Sequence, residues 1–189
     1  MLWTIPNILT LLRIALIPVF MLVYYLPVSW NHLATTAIFG LAALTDWFDG
    51  YLARRLGQSS PFGAFLDPVA DKLIVAVALI MLVQTNPNVW FVVPAAVIVG
   101  REIAISALRE WMAEIGERAQ VAVSIIGKIK TTTQMVALLL LLYRDPLWGI
   151  PTAEIGVVLL YAAAVLTLWS MIIYLRAAWP LLSADNKSW

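Results

Sequence analysis

The chain has 189 residues, of which 62% are hydrophobic and only 12% charged, with a net charge of +1 and no cysteine. Its mean hydropathy is +0.90, and so much apolar surface with about half the charge of a soluble domain needs the bilayer as solvent. This excludes a disordered chain, a nucleic-acid-binding domain, an ordinary cytosolic enzyme and any chemistry that depends on cysteine.

A helix needs about 20 apolar residues to cross roughly 30 Å of hydrocarbon. The first candidate span runs from about Ile5 to Leu26 and ends at the turn Pro27-Val28-Ser29-Trp30-Asn31. No basic region precedes it, the first basic residue being Arg13, so it is expected to be retained as a helix rather than cleaved as a signal peptide. The second runs from about His32 to Leu56, and the third from about Gly63 to Gln84, stopping at Thr85-Asn86-Pro87-Asn88. The fourth covers Val89 to Glu114, the fifth Ala119 to Tyr143 and the sixth Ala153 to Ala178. No linker or compositional break divides them. The expectation is an all-α polytopic membrane protein of six transmembrane helices, forming a single domain over residues 1–189.

Alternate loops are basic. Arg54 and Arg55 follow the second span, Arg109, Arg118, Lys128 and Lys130 border the fourth and fifth, and Arg176 and Lys187 lie near the C-terminus. Both termini should therefore face the cytoplasm. Arg144 is the basic residue on the outer side, paired in sequence with Asp145. Trp3, Trp30, Trp90, Trp148 and Trp179 fall near span ends, as interfacial anchors do. The sole histidine, His32, reads as a surface residue of the outer turn.

The informative stretch is Asp46-Trp47-Phe48-Asp49-Gly50-Tyr51-Leu52-Ala53-Arg54, followed by Gly63, Asp67 and Asp71. At 100° per residue, Asp46, Asp49, Gly50 and Ala53 share one helix face. Gly63, Asp67 and Asp71 share another, and Gln58-Ser59-Ser60-Pro61 reads as the turn between. Packed antiparallel, the two helices would bring four carboxylates together. Such a group cannot stay ionised in a low-dielectric site without compensation. Oxygen ligands with no neighbouring His or Cys select Mg²⁺ or Mn²⁺, with Ca²⁺ also possible, and two ions would balance the charge. Paired ions serve phosphoryl transfer by stabilising the attacking and leaving oxygens. Small Gly50 and Ala53 would let a flat ligand approach the backbone, and Arg54 would meet a phosphate. A structural reading stands beside this one for single residues: Asp67 before Pro68 looks like a helix N-cap, and Asn7 and Thr10 fit either a cap or support of the metal site or the nucleotide.

A second group is basic. Arg101 lies deep enough in its span to face the bundle interior or a wet cavity. With Arg109, Lys128 and Lys130 it suits the phosphate of an anionic substrate. The alternative is that Arg101 pairs only with an intramembrane acid, and that Lys128 and Lys130 only set orientation. Arg118 beside Glu117 reads as solvated loop.

The pattern Asp-Gly-x2-Ala-Arg-x8-Gly-x3-Asp-x3-Asp, preceded by Asp46, is matched at Asp49, Gly50, Ala53, Arg54, Gly63, Asp67 and Asp71. It resembles the signature of the CDP-alcohol phosphatidyltransferases. Ile5-Pro6-Asn7-Ile8-Leu9-Thr10 with Arg13, Arg101-Glu102, Ala107-Leu108-Arg109-Glu110-Trp111 and Gly127-Lys128-Ile129-Lys130-Thr131 extend the resemblance through the chain. It implies the six-helix CDP-alcohol phosphotransferase fold, usually a homodimer, in the bacterial inner membrane with its site open to the cytoplasm. It implies transfer of the phosphatidyl group of CDP-diacylglycerol to sn-glycerol 3-phosphate. Carried over, Asp46, Asp49 and Asp67 hold metal, and Asp71 both joins them and acts as general base. Gly50, Ala53, Arg54 and Gly63 hold the CDP-lipid. The basic residues Arg109, Lys130, Arg101 and Lys128, read from their own charge and depth, are expected to hold the acceptor phosphate. Relatives that use inositol phosphate, serine or phosphatidylglycerol keep the acceptor open. From other classes, a divalent-cation transporter and an intramembrane prenyltransferase also use membrane aspartates.

Overall fold

The computed structural model describes residues 4–56, 61–114 and 125–184; within them the side chains of residues 5, 6, 47, 49–56, 61, 64, 125, 126 and 180–184 are outside the description. Six helices are seen: α1 (Ile5–Tyr25), α2 (Asn31–Leu56), α3 (Pro61–Thr85), α4 (Val89–Glu114), α5 (Ile125–Tyr143) and α6 (Thr152–Ala184). Among the described residues, three helices are long and apolar enough to cross a membrane, over Asn7–Tyr25, Val89–Glu114 and Thr152–Trp179. The class is all-α and membrane-associated, as the hydropathy required.

Helix ends refine the sequence reading. α4 has the expected bounds. α6 continues past Ala178 to Ala184 with Pro180 inside it. A proline forfeits one backbone bond, and the helix continues past it. The expected start of the fifth span at Ala119, the turn residues Gln58-Ser59-Ser60 and the Glu117-Arg118 loop lie outside the described residues. Thr4 caps α1, its hydroxyl accepting from the Asn7 amide at 3.4 Å, so the cap is neither Asn7 nor Thr10. The N-cap reading of Asp67 is also corrected. α3 begins at Pro61, which suits a first helical position, and Asp67-Pro68 lies well inside the helix.

The chain forms two compact units. The first comprises Met1–Pro87 with Leu138–Gly156, and so holds α1, α2, α3, the end of α5 and the start of α6. Its organising element is α1, which packs against both α2 and α3. Among the described residues α2 and α3 also touch each other, while the expected pairing of their carboxylate faces falls largely on side chains outside the description. The buried stripe of α1 is Asn7, Thr10, Arg13, Ile17, Phe20 and Tyr24, a spacing of three and four that marks one face. Leu11, Leu12, Val19, Met21 and Leu22 are exposed on its other faces, where lipid replaces water as the favourable surrounding. Lipid removes the hydrophobic drive for helices to associate, so close packing and interhelical hydrogen bonds carry it. Buried Ala42, Ala70 and Ala78 supply the small side chains such packing uses. Gly156 does the same at the start of α6: a Cβ there would lie 2.8 Å from Leu141 Cγ of α5.

The end of this unit away from the carboxylates is tied by polar contacts. Arg144, at φ 60, follows α5 and donates to the Tyr24 hydroxyl and, at 2.6 Å, to Thr85. Asp145 instead pairs with His32 at 3.3 Å. The sequence pairing of Arg144 with Asp145 is thus corrected, and His32 has a partner. Adjacent residues after a helix end diverge, so each reaches a different helix. Leu147 and Ile150 close a tight turn whose Trp148 is almost wholly exposed, as an interfacial anchor requires.

The second unit comprises Asn88–Ala137 with Val157–Trp189. Its α4 stripe is Phe91, Pro94, Ala95, Ile98, Arg101, Ile105 and Met112, so Arg101 occupies a core position. The α6 stripe includes Leu160, Ala163, Ala164, Thr167, Ser170 and Ala178, and Tyr161 of α6 donates to the Trp90 carbonyl of α4.

Candidate active site

The polar end of the α1 stripe gathers the acidic residues. Thr35, Phe39 and Ala42 form the buried stripe of α2, and Asp46 follows one turn beyond Ala42. Arg13 Nη1 donates to Asp46 Oδ1 at 2.6 Å, with the Arg13 side chain 1% and Asp46 43% exposed. Thr10, fully buried one turn earlier on α1, donates its hydroxyl to Asp67 Oδ1 of α3. Thr10 and Arg13 are only about 4.5 Å apart along the helix axis. One face of α1 therefore engages an α2 carboxylate and an α3 carboxylate from residues one turn apart. Asp71 lies one turn beyond Asp67 on α3, half-buried, and Gly63 is buried one turn before Asp67. Asp49, Gly50, Ala53 and Arg54 lie on the helical backbone of α2, and their side chains are outside the described residues.

Among the described residues no three carboxylate or imidazole groups form a metal-holding cluster. The donor chemistry fits a hard divalent cation even so. Asp46 and Asp67 offer only oxygen, and Arg13 and Thr10 each engage one carboxylate oxygen of their partner. Thr10 and Arg13 hold the two carboxylates in place, as the outer partners of a metal site would. Sequence reasoning offered Thr10 as a cap or as support of the metal site or nucleotide, and placed Arg13 in a matching segment without a defined role. The signal that would have found them is the spacing of Asn7, Thr10 and Arg13, three polar residues on one face of an apolar span.

The basic residues assemble within the second unit. Buried Arg101 donates to Ser170 at 2.8 Å and pairs with Glu102 at 3.1 Å. Buried Lys130 of α5 also pairs with Glu102. Arg109, exposed on α4, donates to the Tyr174 hydroxyl of α6. The Arg101 and Arg109 guanidiniums lie 5.6 and 4.9 Å from the Tyr174 ring centroid. Lys128 is exposed. Arg101, Arg109 and Lys130 thus meet in one network, and the intramembrane acid foreseen for Arg101 is Glu102. Glu102 and Tyr174 carried no role in the sequence reading. Tyr174 has no sequence signal, because its partners are on another helix.

The family model for CDP-alcohol phosphatidyltransferases matches residues 3–169. The chain is 57% identical over 176 residues, 93% of its length and 95% of theirs, to the CDP-diacylglycerol–glycerol-3-phosphate 3-phosphatidyltransferases of Shigella flexneri serotype 5b (strain 8401) and Escherichia coli (strain K12). The enzyme of the same name from Shigella boydii serotype 4 (strain Sb227) is equally similar. The chain belongs to the CDP-alcohol phosphatidyltransferase family.

Proposed function

We propose that this member of the family is an enzyme carrying out the reaction named for its Shigella and Escherichia coli relatives. It transfers the phosphatidyl group of CDP-diacylglycerol to sn-glycerol 3-phosphate, forming phosphatidylglycerol phosphate and releasing CMP. The observation that carries this reading is 57% identity across 93% of the chain to enzymes of that activity. The complete aspartate signature supports it.

The residue roles follow from the chemistry. The attacking group is an alcohol whose pKa lies far above neutral, so it needs a positioned base. Asp71 takes that proton as the acceptor oxygen bonds to the phosphorus bearing the diacylglycerol, and the bond from that phosphorus to the CMP oxygen breaks. Asp46, Asp49 and Asp67, with Asp71, are the ligands for two divalent cations, Mg²⁺ or Mn²⁺, which when bound neutralise the diphosphate and the charge developing on CMP. Arg13 and Thr10 hold Asp46 and Asp67 in place for this. Gly50, Ala53, Arg54 and Gly63 admit and bind the CDP moiety. Arg101, Arg109 and Lys130, with Lys128 at the margin, bind the acceptor phosphate. No covalent intermediate is required, so the displacement is direct. In this reading all six helices span the bacterial inner membrane as one catalytic domain, the termini face the cytoplasm, and the enzyme is a homodimer.

Acceptor competition tests the reading. Purified protein, CDP-diacylglycerol and Mg²⁺ or Mn²⁺ are supplied with glycerol 3-phosphate, inositol phosphate, serine or phosphatidylglycerol, and CMP release is measured. Release with glycerol 3-phosphate alone is expected. Preference for another acceptor would overturn the substrate assignment, and a trapped phosphatidyl-enzyme would overturn direct displacement.

A further inference from the structure

We infer that Tyr174 is a positioning residue that builds the acceptor phosphate site by holding two arginines on one aromatic ring. The inference rests on the acceptor-pocket reading above. Arg101 and Arg109 are two turns apart on α4, and both guanidiniums lie within 6 Å of the Tyr174 ring centroid. Like charges repel, and an exposed arginine is free to turn into solvent. The negative face of an aromatic ring attracts both cations and reduces that freedom. The Tyr174 hydroxyl also accepts from Arg109 Nη2, which fixes the exposed guanidinium against its buried neighbour.

The rest of the network is built to match. Ser170, one turn before Tyr174 on α6, accepts from Arg101 Nη2 at 2.8 Å. Glu102 joins Arg101 to Lys130. Three cations against one carboxylate leave a formal +2 across these residues. A phosphate monoester carries about −1.5 to −2 at neutral pH, whereas a phosphodiester carries a single charge. The Arg101 side chain is nine-tenths buried, yet its Nε has no hydrogen-bond partner among the described residues. A buried charged donor without a partner is costly, and a phosphate oxygen would satisfy it. Tyr174 therefore acts through the arginines, which themselves touch the substrate.

The test uses the full-length enzyme with Tyr174→Phe, Tyr174→Leu and Lys130→Ala. Each is measured for KM of glycerol 3-phosphate, KM of CDP-diacylglycerol, kcat by CMP release, and inhibition by inorganic phosphate. Tyr174→Leu should raise the acceptor KM and the phosphate inhibition constant together, by about five- to thirty-fold. Tyr174→Phe keeps the ring and should raise both by about two- to five-fold. The CDP-diacylglycerol KM and kcat should stay within about twofold. If Tyr174→Leu does not fold, Tyr174→Phe decides alone, and an unchanged phosphate constant overturns the inference. If Lys130→Ala raises the acceptor KM and neither Tyr174 variant does, the positioning role fails while the pocket stands. If Lys130→Ala also leaves the acceptor KM unchanged, the pocket reading fails and takes the inference with it.

Discussion

The Arg13–Asp46 pair makes an asymmetric prediction. The two partners differ sharply in burial, 1% exposed for Arg13 and 43% for Asp46 at 2.6 Å. Asp46→Asn keeps the side-chain shape but leaves the buried guanidinium one negative charge short. A hydrogen bond to a charged group is worth about 1.5–3 kcal/mol. Water reaches Asp46, so the lower part of that range applies, about 1.5–2 kcal/mol. For a chain of this size that lowers Tm by roughly 3–8 °C. Arg13→Met removes the buried charge together with its desolvation cost, and the half-exposed carboxylate can turn to water. Its stability cost should be below about 1 kcal/mol. Its catalytic cost should be larger, because Asp46 loses the partner that orients it: the metal concentration for half-maximal rate should rise about 10- to 100-fold. Thermal unfolding in detergent with chelator present measures the first effect, and CMP release across a Mg²⁺ titration measures the second. Equal destabilisation by the two substitutions would refute the burial argument. An unchanged metal requirement in Arg13→Met would refute the orienting role.

Other outcomes follow from single contacts. Thr10→Val keeps the volume of a fully buried side chain but removes the donor to Asp67; metal titration should show about 10-fold weaker activation with the fold retained. Asp71→Asn should leave binding of the CDP-lipid measurable by equilibrium dialysis while turnover falls by at least about 100-fold, the usual worth of a general base. Gly156→Ala should cost about 1–3 kcal/mol, since its Cβ would meet Leu141 Cγ at 2.8 Å. That loss would appear as a lower Tm with both KM values unchanged.

Much of this protein was legible without coordinates because its strongest signals are local. Runs of apolar residues set the helices, since lipid leaves a backbone few other ways to satisfy its polar groups. The start of α4 followed from the turn before Val89. The aspartates at spacings of three and four identified the chemistry, because their positions on two helix faces follow from helix geometry. What tertiary structure alone decided is who meets whom. Helix-face geometry and the short turn set α2 beside α3, and packing put α1 against both, so that Thr10 and Arg13 hold Asp67 and Asp46. The same holds for Tyr174, which reads in sequence as one more aromatic of an apolar helix and in the fold lies against two arginines. A periodic pattern reports the faces of one helix and carries no information about the helix that covers them. The near-zero net charge of the chain therefore concealed an acidic group and a basic group, whose partners Arg13, Thr10 and Tyr174 only packing supplies.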